Sequence, residues 1–406
     1  MYQRTMLNTI KEISEVFPAL LVTGPRQVGK TTLLEICATD ERQYVTLDDL
    51  DIREMAQQDP GLFVQMYPPP IIIDEIQYAP QLFSYLKIVI DREKKPGMFW
   101  LTGSQKFHLM HGITETLAGR IAIVDLLGLS QAELDGRADK SSPFLPTQQW
   151  IEHNRHVKPK TIQEVFQQIW QGFFPLVNKN PQESARHFFY SSYIQTYLQR
   201  DVRSILNVSN ETRFYNFLIA VAARTGQLLN YAELARDVGV DNKTVKAWLS
   251  ILEASGLVYL LRPYYRNITK RLVKTPKLYF LDTGLCSYLT KWPNAESLVS
   301  GSMSGAILET YLFAEILKSY WHNGVEANFY YYRDLDQREI DLVIESGDVL
   351  YPVEFKKTAT PSKTASRSFS LLTKLDKKLG DGAVMCFVNK YVPLSNNVTA
   401  IPVWYL

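Results

Sequence analysis

Gly24-Pro25-Arg26-Gln27-Val28-Gly29-Lys30-Thr31 is the stretch whose reading decides the fold. It follows the apolar run Ala19 to Val22 and opens a helical pattern over residues 31–38. G-x-x-x-x-G-K-[ST] in a strand–loop–helix setting has a mechanical meaning. Its glycines let backbone N–H groups turn inward around phosphate oxygens, and the helix presents its positive end to the anion. In that setting Lys30 reaches the β- and γ-phosphates, Thr31 supplies a hydroxyl to Mg²⁺, and Gly24 through Thr32 line the cradle. The pattern implies a site for a nucleoside triphosphate, and ATP is the expected ligand.

A second element agrees. Ile71-Ile72-Ile73-Asp74-Glu75 is a β-branched run launched from Pro68-Pro69-Pro70 and ended by two acids. Such a run reads as a buried parallel strand, and ligands of parallel sheets sit beyond the strands' carboxyl ends. Asp74 is then placed to hold Mg²⁺, and Glu75 to polarise the attacking water as general base.

Bulk composition sets the frame. A chain of 406 residues exceeds one ordinary core, and about three domains is the starting expectation. With 46% hydrophobic and 21% charged residues it resembles globular proteins rather than disordered or fibrous ones. No apolar run approaches the ~20 residues of a membrane helix, and residues 1–11 lack a signal-peptide core, so a cytoplasmic protein is expected. Cys37, Cys286 and Cys386 show no paired spacing, which argues against a disulfide framework or zinc site. A net charge of +2 leaves any nucleic-acid surface to local patches.

The first ~130 residues alternate apolar strands with helical stretches, as a parallel α/β sheet requires. Further strands are expected over residues 44–48, 99–102 and 121–126, with a helix over 81–91. The strings GPRQVGKTT, IIIDEIQ, LTGSQ and LAGR, in this order, resemble the AAA+-superfamily ATPase domain of the AAA_14 type, fused to a DUF4143 C-terminal region. That resemblance implies a P-loop sheet in which the 99–102 strand lies between the two phosphate-site strands. Ser104 or Gln105, just beyond it, would then sense the terminal phosphate, although an Asn is common as sensor in such proteins. Arg120, ahead of the fifth strand, is a candidate arginine finger, in cis or in a neighbouring copy, and action in trans implies a homo-oligomer.

A polar, Pro-containing stretch from 127 to 160 suggests a linker, followed by helical patterns. Tyr190, Tyr193 and Tyr197, spaced by three and four, read as core or a domain interface, and Arg200 and Arg203 as lid residues that could reach the nucleotide. Leu234, Ala235 and Val238 against Val245, Leu249 and Leu252 have helix-turn-helix spacing around Gly239. Asn242, Lys243 and Lys246 face outward and would lead a major-groove helix. Residues 257–261 and 278–281 read as wing strands. Between them Arg262, Arg266, Lys270, Arg271, Lys274 and Lys277 occur without an acid and with Tyr264 and Tyr265 interleaved. Such a run suits nucleic-acid phosphates or a solvated loop, and such helix pairs also serve as protein adaptors.

Near the C-terminus, residues 339–344 and 349–356 read as a hairpin about Ser346-Gly347-Asp348. Glu354 and Lys356 are two apart and share a face. With Asp341 they form the Asp–x(n)–Glu–x–Lys arrangement of restriction-endonuclease-like folds, in which Asp341 and Glu354 bind Mg²⁺ and Lys356 handles water. Glu309, on a helix over 307–318, could add a carboxylate. The string YYRD…EIDLVI…YPVEFKK resembles DUF4143 regions, which implies this fold without implying cleavage.

The sequence therefore predicts an α/β multidomain chain: a P-loop AAA+-type ATPase domain (1–130), a helical lid or linker (131–212), a winged helix-turn-helix (213–285) and a restriction-endonuclease-like α/β domain (300–406). The expected function is ATP binding and hydrolysis that controls a module directed at DNA. The alternatives are a nucleotide-dependent switch docking a protein partner, and a DNA-binding regulator.

Overall fold

The computed structural model describes residues 2–103, 113, 116–197, 211–265 and 274–406. Ser104, Gln105, Arg200, Arg203, Arg266, Lys270 and Arg271 lie outside the described residues. The chain divides into two compact units, one of residues 1–141 with 254–256 and 321–325, the other of 142–253, 257–320 and 326–406.

The first unit is built on β1 (Ala19–Thr23), β2 (Gln43–Thr46), β3 (Ile71–Asp74), β4 (Phe99–Thr102) and β5 (Ile121–Asp125). All are parallel, in the order β2-β3-β4-β1-β5. β4 thus lies between the strand that feeds the glycine-rich loop and the one that ends in acids. β1, β3 and β4 are buried at every residue, as parallel strands covered on both faces must be. Around them run α1 (Met6–Val16), α2 (Lys30–Cys37), α3 (Leu50–Gln58), α4 (Pro60–Met66) and α5 (Leu82–Glu93). Short polar caps set several helix starts: Asp49 accepts from the Asp51 and Ile52 amides, and Asp59 accepts from Leu62 with Pro60 in the first turn of α4. β2 stops at Thr46, short of the expected residue 48, because the Asp48 amide turns back to Thr46 Oγ1 at 3.1 Å. Leu21, Ile73, Leu86, Phe99 and Leu101 belong to one buried cluster between sheet and helices.

The second unit begins with helices Gln148–Asn154, Ile162–Gln171 and Glu183–Tyr197. Tyr190, Tyr193 and Tyr197 are buried; the first two pack with Phe174 and Phe189, and Tyr197 stacks on Tyr193. Helices Tyr231–Val238 and Asn242–Ala254 are joined through Gly239 at φ 71°, a left-handed turn that glycine adopts without a Cβ penalty. β6 (Gln227–Leu228), β7 (Val258–Leu261) and β8 (Lys277–Phe280) make a small antiparallel sheet in the order β6-β8-β7.

The third sheet has seven strands: β9 (Phe329–Arg333), β10 (Glu339–Ser346), β11 (Val349–Phe355), β12 (Lys378–Leu379), β13 (Gly382–Cys386), β14 (Val392–Ser395) and β15 (Val398–Pro402). Its main path is β14-β15-β13-β11-β10-β9, with β12 beside β11. Antiparallel β9-β10-β11 adjoin parallel β11-β13-β15. The β10–β11 turn uses Gly347 at φ 59°. The helix Ser304–Trp321 is buried along most of its length. The three cysteines are buried and free. No described helix is long and apolar enough to cross a membrane.

Candidate functional site

The glycine-rich loop leaves the carboxyl end of β1. Gly24 has φ 137°, and a Cβ there would stand 2.0 Å from the Leu126 carbonyl oxygen, so no other residue fits. Gly29 (φ 91°) caps α2. Lys30 is buried and spans the loop, its Nζ donating to the carbonyls of Gly24 at 3.0 Å and Pro25 at 2.8 Å. Those carbonyls hold the ammonium over the cradle that the loop amides would form around phosphate.

At the end of β3, Asp74 is buried and gathers three hydroxyls. Thr31 donates to Oδ1 at 3.0 Å, Tyr44 donates to Oδ2 at 3.0 Å, and Thr102 makes a short bond to Oδ1. Burial, then the Asp74 charge, pushes the Tyr44 phenol up to about 12, so it stays a donor at neutral pH. Thr102 also accepts from the Glu75 amide at 3.2 Å. Glu75 sits at φ 56°, an uncommon conformation for a non-glycine residue that places its side chain off the strand line. Its carboxylate accepts from Gln77. A Thr hydroxyl touching a carboxylate, beside a loop-bound lysine, is a donor set suited to Mg²⁺ with a triphosphate. Tyr44 and Thr102 escaped the sequence reading, although Thr102 closes an apolar strand as Asp74 does.

Arg4 was also missed. Its buried guanidinium donates to the carbonyls of Val28 and Leu127, both at 2.8 Å, and pairs with Glu133 at 3.1 Å. Glu133 is anchored further by the Thr5 amide at 2.8 Å, the Ser130 amide at 2.9 Å and His322 at 3.4 Å. Burial alone would raise its carboxyl, but Arg4, His322 and the Ser130 amide hold it far below the carboxylate range. The network pins the loop through the Val28 carbonyl.

Arg120 lies elsewhere. It precedes β5, at the amino edge of the parallel sheet, and its guanidinium pairs with Asp91 of α5 at 2.6 and 3.1 Å. The loop stands at the carboxyl edge, a strand length away at about 3.3 Å per residue. An arginine finger in cis is therefore corrected by the topology.

In the second unit the expected acids converge, with one unexpected member. Lys277 of β8, 3% exposed, places Nζ 2.6 Å from Glu309 Oε1, 2.7 Å from Glu339 Oε1 and 3.5 Å from Asp341 Oδ1. Tyr279 donates to the same Glu309 oxygen at 2.7 Å, and Asp341 Oδ2 accepts from the Phe355 amide at 3.0 Å. Burial would lower the Lys277 pKa, but Tyr279, Glu309, Asp341 and Glu339 hold it well above its ordinary value. Glu354 pairs with Lys356 at 2.7 Å through Oε1, and its buried Oε2 has no partner. Burial, then Asp341, pushes Glu354 up to about 8 and Glu309 up to about 7.

Two expectations are corrected here. Asp341, Glu354 and Glu309 are not gathered as a metal-ligating group among the described residues, and the ammonium of Lys277 stands between Glu309 and Asp341. Lys277 is likewise no phosphate-facing cation of the basic run, because β8 is buried throughout. Glu339 was missed, although it is two residues from Asp341 and so shares its face.

Elsewhere Asn242, Lys243 and Lys246 are exposed at the start of their helix, capped by Asp241 accepting from the Thr244 amide at 2.7 Å. Leu234, Val245, Leu249 and Leu252 are buried behind them. The basic run is tied at both ends to Tyr331 of β9. The Tyr331 amide donates to the Arg262 carbonyl at 3.1 Å, the Tyr264 amide to the Tyr331 carbonyl at 2.7 Å, and the Tyr331 hydroxyl to the Thr275 carbonyl at 2.5 Å.

Residues 16–135 match the family described as AAA domain, residues 162–296 a domain of unknown function (DUF8612) and residues 304–406 a domain of unknown function (DUF4143). The chain thus joins a region matching the AAA domain to a C-terminal region matching DUF4143. It is similar to an uncharacterized protein of Mycobacterium tuberculosis and one of Mycobacterium bovis, each 29% identical over 392 residues, covering 95% of this chain and 80% of the relative. Among solved structures, a Walker-type ATPase of Pyrococcus abyssi aligns at 14% identity, TM-score 0.43, covering 71% of this chain and 96% of that one. The Thermotoga maritima RuvB Holliday junction branch migration motor aligns at 16% identity, TM-score 0.32, covering 63% and 88%.

Proposed function

We propose that the chain binds Mg²⁺–ATP at Gly24–Thr32 and Asp74 and hydrolyses it, and that the nucleotide state controls a module directed at DNA. The observation that carries the reading is the Thr31–Asp74 hydrogen bond beside the loop-bound Lys30 at one end of a parallel sheet, with Glu75 next in the chain. Mg²⁺ would be held by Thr31 and Asp74 and would supply charge neutralisation on the phosphates. Lys30 then neutralises the terminal phosphates, and Glu75 takes the proton of the attacking water.

The four segments 1–130, 131–212, 213–285 and 300–406 divide this work as nucleotide domain, helical lid, winged helix-turn-helix and nuclease-like domain. Support for the DNA-directed part is the exposed Asn242, Lys243 and Lys246, and the basic run whose ends are fixed to β9 beside the carboxylate cluster. A role for Arg120 belongs to a neighbouring copy and requires release from Asp91. The reading without strand cleavage is favoured by one observation, the ammonium of Lys277 among the acids.

Steady-state hydrolysis tests the core of the proposal. Lys30→Ala should lose ATP binding by calorimetry. Glu75→Gln should still bind while turning over at least about 10²-fold more slowly. Equal rates in the wild type and both variants would discard the ATPase reading.

A further inference from the structure

Four carboxylates and two lysines occupy the face shared by β8, β10, β11 and the helix Ser304–Trp321. Glu309, Glu339 and Asp341 all face the Nζ of Lys277, and Glu354 adds a buried oxygen without a partner. Lys277 is not a mobile surface lysine that happens to lean in. It is 3% exposed, and its strand is paired on both sides, to β6 and to β7. Its neighbour Tyr279, on the same face, donates to Glu309 and stacks on Phe313. The cation is built into the sheet.

We infer that Lys277 is the resident cation of this acidic cluster: its ammonium takes the position a divalent ion would need and keeps the site closed to metal. Two like-charged ligands for one position cannot both be accommodated in a buried site, because each would face the other's charge at low dielectric. A hard divalent ion wants six or more oxygens. Here Glu309 Oε1 is already shared by Lys277 and Tyr279, and Asp341 Oδ2 is taken by the Phe355 amide. Metal entry at these carboxylates therefore requires withdrawal of Lys277. The inference stands independently of the ATPase reading, since it concerns a different unit of the chain.

Manganese binding to the nucleotide-free full chain, followed by electron paramagnetic resonance, tests it. Wild type and Lys277→Arg, which keeps the charge, should bind no ion that Asp341→Asn removes. Lys277→Met, which keeps length and loses charge, should gain one bound ion per chain, lost again when Asp341→Asn is added. A wild-type ion displaced by Asp341→Asn overturns the inference, as does a Lys277→Met protein that melts cooperatively yet gains none. Should Lys277→Met not fold, the wild type alone decides by the same Asp341→Asn comparison. Ions at Asp74 are insensitive to Asp341 and are thereby set apart.

Discussion

One oxygen of Thr102 serves both acids at the end of β3, donating to Asp74 and accepting from the Glu75 amide. Replacing it by the isosteric valine removes a hydrogen bond to a charged group, typically about 1.5–3 kcal/mol, without opening a cavity. Thr102→Val should therefore slow hydrolysis about tenfold or more while ATP affinity changes by less than about threefold. Single-turnover rates beside calorimetric affinity make the check, and an unchanged rate would remove Thr102 from the site. That Lys30, Thr31, Asp74 and Glu75 gather at one end of the sheet was legible in the sequence, because each belongs to a local pattern of strand, loop and helix. Thr102, Tyr44 and Arg4 were not, since each acquires its partner from a distant strand or loop. Lys277 misled outright. A cation in a run of cations reads as solvated, and its burial depends on Glu339, 62 residues along the chain.

At the scale of elements, the strands and the long helices followed from their apolar patterns. The observed 99–102 strand coincides with the expected one, and β10 and β11 with the expected hairpin. The pairing of β11 with β13 and of β13 with β15 was not foreseen, because parallel pairing links segments that carry no mutual signal in sequence. The hairpin also sets a pH dependence. Burial, then the charge of Asp341, raises Glu354 from 4.5 to about 8 against the opposing Lys356, and burial, then Asp341, raises Glu309 to about 7. A carboxyl raised by folding binds its proton more tightly in the native state, so its contribution is present at low pH and is lost as pH rises through the native value. The melting temperature should fall between about pH 4.5 and 8, and Glu354→Gln should flatten that fall. Parallel melting curves across this range would refute the assignment by showing the same slope in both proteins.

For the whole molecule, the charge balance of +2 is too small to draw a polyanion by itself. Any affinity for DNA must come from local cations. Lys243 and Lys274 are both exposed, one leading a helix and the other at the foot of the basic run. If the second unit holds duplex DNA, log affinity should fall linearly and steeply with log salt, and Lys243→Ala with Lys274→Ala should reduce the slope by about two. A flat titration would leave the protein-docking role as the reading for this segment.

The first unit is not finished when its own 141 opening residues have been made. The imidazole of His322, which accepts from the Leu127 amide, lies 195 residues further along, and it meets Glu133, the counter-ion of Arg4. A ribosome adding about 5–20 residues per second takes roughly 10–40 s to reach it. During that interval the nascent nucleotide domain lacks one arm of the network behind its phosphate loop. Completion of that network is thereby tied to synthesis of most of the polypeptide, an order of events written into the chain by a single side chain.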